Sequence, residues 1–143
     1  MTRHVWSVLC SRSVIDRDSN NLSLHNVIER LTIRGELEPG TVTRCPMELV
    51  SLWSLDESAD ITQSKARLTL LTPSGTSLGS EEYSMDLSVA PRLRHRTRLD
   101  GIPVEESGEY RFVVELQVKD LTWEQVARVP LSIVVDPLRP THQ

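Results

Sequence analysis

The chain has few aromatic residues, few glycines and few cysteines, and each shortage argues against a class of function. Aromatic side chains make up 4% of its 143 residues, which leaves little from which to build a stacking platform for single-stranded nucleic acid. Only six glycines are present, and no glycine-rich loop could hold a nucleotide phosphate. Two cysteines, Cys10 and Cys45, show neither CxxC spacing nor a paired-histidine pattern. The sequence therefore predicts no metal site and no cofactor.

Long hydrophobic runs are also lacking. No stretch approaches the ~20 apolar residues of a membrane helix, and the opening MTRHVWSVLCSRSV lacks the charged-then-apolar pattern of a signal peptide. We therefore expect a cytoplasmic protein without membrane contact, whose two thiols are reduced and buried. A Cys10–Cys45 disulfide remains the alternative if the two flanking strands are neighbours.

The charge balance is acidic, with 16 basic and 20 acidic residues and a formal net charge of -4. Proteins dedicated to nucleic acid usually carry a basic excess, so this balance disfavours that class. Arginine outnumbers lysine 14 to 2. The bias suits bidentate pairing with carboxylates or phosphates, although coding bias is an alternative explanation.

Apolar residues recur with a period of two in almost every segment. Residues 65–71, 82–89 and 110–118 alternate apolar and polar side chains, as strands with one buried face do. Residues 47–55 are apolar on both sides, which indicates a central or covered strand. Residues 22–33 change phase near Asn26, which predicts a bulge or a strand break there. With turn sequences every ten or so residues, the pattern predicts an antiparallel β-sandwich of about eight strands. We expect a single domain over residues 1–136 and a C-terminal tail over 137–143.

The run RTRLDGIPVEESGEYRF, residues 96–112, resembles the tyrosine corner of immunoglobulin-like sandwiches. By that resemblance Tyr110 would bond back to the corner backbone, and Phe112 would occupy the place of a disulfide cysteine in antibody domains. Trp53 would be the core tryptophan. The resemblance implies an immunoglobulin-like fold and carries no function.

The stretches NNLSLHNVIERL and SGEYRFVVEL fit patterns of the type L-S-L-x-x-V and G-x-Y-x-F-x-V. In them the chain resembles a family of small bacterial proteins of unknown function. The resemblance implies a bacterial, stand-alone β-sandwich protein with no assigned activity.

Motifs for catalysis are missing from the sequence. It contains no GxSxG, HExxH or DxDxDG pattern, and Cys10 shares a strand face with apolar neighbours that would pack the thiol. His95 falls on the inner phase of its strand, which predicts a buried, hydrogen-bonded histidine. The acidic clusters within residues 56–60 and 105–109 lie beside turns and are interpreted as solvated loops, with a weak divalent-cation site as the alternative. We therefore predict no catalytic residues and a protein that is not an enzyme.

One stretch stands out for its charge. APRLRHRTRLDG, residues 90–101, carries Arg92, Arg94, Arg96 and Arg98 at alternate positions. Residues two apart on a strand point the same way, so the four would form a row spanning roughly 20 Å at ~3.3 Å per residue. Four like charges repel one another, and something should neutralise them.

Three kinds of partner could neutralise the arginine row. Outward carboxylates on the preceding strand, such as Glu82 and Asp86, could pair with the row internally. An acidic protein, or a second copy docking its loops at 56–60 or 105–109, could bind it. Nucleic acid could bind it weakly through phosphates. We predict a non-enzymatic protein-binding or assembly module with the row as its contact face. The alternatives are an enzyme with a loop-built site and weak nucleic-acid binding.

Overall fold

The computed structural model of the chain describes residues 1–38, 40, 42–56 and 61–136. The tail expected over residues 137–143 lies outside this part, as do Glu57 and Asp60 of the first acidic cluster. The strands are β1 (Thr2–Ile15), β2 (Leu22–Val27), β3 (Arg30–Arg34), β4 (Met47–Leu55), β5 (Gln63–Leu71), β6 (Ser77–Asp86), β7 (Arg92–Leu99), β8 (Gly108–Gln117) and β9 (Trp123–Asp136). A single 3-10 turn, Lys119–Leu121, precedes β9.

The predicted all-β architecture of two packed sheets is confirmed. One sheet has the order β2-β1-β4-β7 and the other has the order β3-β9-β8-β5-β6. Neighbouring strands are antiparallel except β3 and β9, which run parallel. No helix in the described residues is long and apolar enough to cross a membrane.

The core lies between the sheets and follows the predicted alternation. Along β8 the inward side chains are almost completely buried, namely those of Tyr110, Phe112, Val114 and Leu116. Trp53 on β4 is also fully buried and packs in the same cluster. Burying side chains of this size removes enough apolar surface from water to hold the two sheets together.

The phase change near Asn26 is a strand break. Asn26 has a positive φ of 55°, and the chain leaves β2 in one sheet to enter β3 in the other. Leu24 therefore belongs to the first sheet, whereas Leu31 and Ile33 pack against the core from the second. This division gives nine described strands instead of about eight.

Tyr110 closes the turn before β8 with its hydroxyl group. The hydroxyl donates to the carbonyl oxygen of Glu106 at 2.7 Å and accepts the backbone N–H groups of Glu105 and Glu106 at 3.3 Å. This is the backward bonding that the sequence predicted for a tyrosine corner.

We expect Tyr110→Phe to lower the free energy of unfolding by about 2 kcal/mol, because it leaves up to three backbone groups of the corner without their partner. Chemical denaturation would measure the loss. Tyr83→Phe is the matched control, since the Tyr83 hydroxyl accepts from Trp53 Nε1 at 3.2 Å and bonds no corner backbone. Equal stability of wild type and Tyr110→Phe would show that the corner contributes nothing.

Candidate binding surface on the arginine strand

The four arginines lie on β7, an edge strand of the four-stranded sheet. Its neighbour is β4, with Arg98 opposite Glu48, Arg96 opposite Val50 and Arg94 opposite Leu52. Arg92, Arg96 and Arg98 are exposed, and Arg94 is half-buried. Because the residues between them face the core side, the row forms on the outer face of the sheet, as the alternation predicted.

The carboxylates expected to neutralise the row are in the wrong sheet. Glu82 and Asp86 belong to β6, which pairs with β5 on the opposite side of the sandwich. The chain crosses between sheets after β6, so β6 and β7 are consecutive in sequence without pairing. Internal neutralisation comes instead from Glu48 on β4, and the turn between β1 and β2 supplies a backbone hydrogen-bond acceptor.

Glu48 is the carboxylate beside the row. Its side chain is only 3% exposed, and its Oε1 accepts from Arg98 Nη2 at 2.9 Å. Its Oε2 accepts the Ser13 hydroxyl at 2.5 Å and the Ser13 backbone N–H at 3.1 Å. A buried carboxylate needs such partners because water no longer solvates its charge. Glu48 therefore joins β1, β4 and β7 on the outer face.

Burial of the Glu48 carboxyl acts to raise its pKa. The hydrogen bonds from Ser13 and Arg98, together with the Arg98 charge, outweigh burial and hold the pKa below its ordinary value. The group is consequently ionised at neutral pH, and it neutralises one arginine of the row.

The hairpin of β1 and β2 covers part of the same outer face. Arg94 Nη2 donates to the carbonyl oxygen of Asn20, in the hairpin turn, at 2.7 Å. Arg96 Nη1 donates to the Ser13 hydroxyl at 3.4 Å. Val50 on β4 and Cys10 on β1 are completely buried although neither belongs to the core cluster between the sheets. The hairpin therefore curls over β4 toward β7, and two arginines hold it.

Positive charge remains on the row after these contacts. Within the described residues, Glu48 is the one carboxylate that forms an ion pair with it. The Arg98 side chain is 73% exposed even while it bonds Glu48. Arg92 makes no hydrogen bond or ion pair with any described residue. The outer face of β7 thus presents an excess of exposed guanidinium groups.

The inner side of β7 carries His95, which is half-buried and stacked on Tyr83 with ring centroids 3.5 Å apart. Its Nε2 lies 3.6 Å from Glu81 Oε1 and has no hydrogen-bond partner among the described residues. The prediction of a hydrogen-bonded core histidine is therefore wrong in that detail. Burial lowers the pKa of His95 and raises that of Tyr83 to about 12, so both rings are neutral at pH 7.

Both cysteines are free thiols, so the alternative disulfide does not form. Cys10 is buried, whereas Cys45 is half-buried, contrary to the expectation for the second thiol. Burial and the nearby Glu48 charge raise the pKa of Cys10. The thiolate is the nucleophile, so this environment disfavours reaction at Cys10.

A cleft of about 800 Å³ opens elsewhere on the sandwich, with Thr2, Ser64, Met85 and Leu116 among its lining residues. The Ser64 hydroxyl donates to Thr2 Oγ1 at 2.8 Å.

In the second acidic cluster, Glu106 accepts from the Ser74 hydroxyl at 2.8 Å and holds a turn. Across the described ranges, no three metal-ligating side chains come together.

No protein-family model matches the chain, and no curated protein is significantly similar to it.

Proposed function

We propose that the protein is a non-enzymatic binding or assembly module that docks an acidic protein partner on Arg92, Arg94, Arg96 and Arg98. The observation that carries the proposal is the incomplete neutralisation of the row at a sheet edge. Three of the four guanidinium groups lie on exposed residues, while Glu48 supplies one neighbouring carboxylate. Arginine forks bind carboxylates bidentately, and a patch of one charge sign speeds and selects encounters with the opposite sign.

We also propose an immunoglobulin-like topology, a cytoplasmic location and a bacterial origin. The Tyr110 corner and the position of β8 between β9 and β5 support an immunoglobulin-like sheet, in which strand F lies between strands G and C. Free thiols support a cytoplasmic location. The proposed origin is bacterial, in the family of small β-sandwich proteins that the sequence resembles.

Reversing charge at Arg92 and Arg96 is expected to abolish capture of the partner. The Arg92 side chain makes no hydrogen bond or ion pair with a described residue, and Arg96 contributes one long hydrogen bond to holding the hairpin, so we expect the Arg92→Glu/Arg96→Glu variant to fold with a small loss of stability. The experiment is a pull-down from lysate with and without nuclease treatment, followed by identification of the retained proteins and a thermal melt of each bait.

The matched control is Arg30→Glu/Arg34→Glu, which makes the same charge change on exposed residues of β3. An acidic protein retained by wild type and control, but lost from the row variant, would support the proposal. Identical capture by all three baits would contradict it. Capture that disappears with nuclease treatment would assign the row to nucleic acid instead.

A further inference from the structure

The backbone of the arginine strand is unpaired along its outer edge. The N–H of Leu55 donates to the carbonyl oxygen of Pro91 at 2.9 Å, and this pair continues the register that joins β4 to β7. Hydrogen-bonded and non-hydrogen-bonded pairs alternate along an antiparallel ladder. His95 and Thr97 therefore bond to β4, and the arginines direct their N–H and C=O groups away from it.

Each arginine thus carries two kinds of recognition group, and three of the guanidinium groups also bond Asn20, Ser13 or Glu48. Its guanidinium lies on the outer face, and its backbone donor and acceptor point to the open edge. No other described strand occupies that edge. An extended chain lying there could bond with the backbone and the side chains together, as in strand addition to an open sheet.

We propose that the partner binds as an added β-strand along β7, with carboxylate side chains at alternate positions facing the four arginines. The inference rests on the proposed function and specifies the partner: an acidic segment of another protein in extended conformation. Side chains of an added strand repeat on one face every two residues. Its carboxylates therefore have the same spacing as Arg92, Arg94, Arg96 and Arg98.

Charge complementarity favours an acidic strand over a second copy of the chain and over a neutral or basic strand. Two copies of the chain pairing through β7 would bring arginines opposite arginines, and like charges directly opposite destabilise a strand pair. A neutral or basic strand would leave the row unneutralised, so the arginines also protect the edge from unspecific pairing. An acidic strand removes the repulsion within the row and completes the ladder.

The test uses the full chain and synthetic peptides in which glutamate alternates with threonine. The first control contains the same residues with its glutamates consecutive, and the second replaces glutamate with lysine. With consecutive glutamates about half of the carboxylates face away from the arginines, and losing two of four cross-strand pairs of opposite charge corresponds to about tenfold in affinity. We therefore expect the alternating acidic peptide to bind about tenfold more tightly than its shuffled isomer in fluorescence anisotropy, and the lysine peptide not to bind.

Amide hydrogen exchange measured by NMR gives the second readout. Binding should protect the backbone amides of the arginines, while those of His95 and Thr97, already bonded to β4, should change little. Equal affinity of the two acidic peptides without amide protection would overturn strand addition and leave side-chain docking intact. Absence of binding by either acidic peptide would overturn both the inference and the proposed function.

Discussion

Gly101→Ala is expected to destabilise the protein by about 3 kcal/mol, the largest loss that we predict for a single methyl group. A Cβ at position 101 would overlap the backbone carbonyl oxygen of Thr43 and crowd Val42 Cγ1. Backbone cannot move aside as a flexible side chain can. Relieving this overlap would move the two segments apart and break the hydrogen bond in which the Thr43 N–H donates to the Ile102 carbonyl oxygen at 3.0 Å. Thermal unfolding should show a melting temperature lower by about 10 °C.

Gly35→Ala provides the control for this variant. Gly35 has a φ of +121°, which alanine adopts poorly, but an added Cβ would meet nothing within 4 Å. Its cost should be the backbone strain alone, about 1–2 kcal/mol. If the two alanine variants melt at the same temperature, close approach to Thr43 is not what requires glycine at position 101.

Glu48→Gln is expected to cost about 2–3 kcal/mol at pH 7, at or just below the cost of breaking a fully buried ion pair, because Arg98 remains largely exposed. The amide would keep the shape of the side chain. It would lose the charge that attracts Arg98, and it could not accept all three hydrogen bonds as a carboxylate does. Urea unfolding would measure the difference, with Glu115→Gln as control. Glu115 pairs with Arg67, and its carboxylate is more exposed than that of Glu48, 20% against 3%, so its loss should be smaller.

The cost of Glu48→Gln should depend on pH in a defined direction. The folded-state pKa of Glu48 lies below its ordinary value of 4.5. Its charge therefore stabilises the fold fully above that value, and the contribution disappears as pH falls through the folded-state pKa. The difference in unfolding free energy between wild type and variant should be largest at neutral pH and shrink in acid. A difference that stays constant down to pH 3 would show that the Glu48 charge contributes nothing.

Alternation in the sequence was enough to predict the sheets and their faces. It placed Tyr110, Phe112 and Val114 in the core, and it placed the arginines together on one outer face, because side-chain direction in a strand is a local property. Strand pairing is not local. Glu82 was assigned beside the arginines since hairpins usually join consecutive strands, but β6 and β7 lie in different sheets.

The part of the site that sequence reasoning missed is the hairpin contact. Apolar residues on both sides of β4 correctly indicated a covered strand, yet they did not show what covers it. The signal available was Glu48, a charged residue among apolar neighbours. Its partner Ser13 is far away in the sequence, and its neighbours in the sequence do not mark it as a hydrogen-bond donor to a buried group. Nothing local distinguishes a serine that binds a buried carboxylate from one on a solvated strand.

The parallel pair of β3 and β9 has a consequence for biosynthesis. Arg30 pairs with Ser132, so two segments about a hundred residues apart must meet, and contacts of such long sequence separation form slowly. During synthesis on the ribosome, β3 cannot pair before β9, the last described strand, has emerged. The edge of β8 that β9 will cover also stays open until then. Unpaired strand edges of this kind favour association with other chains.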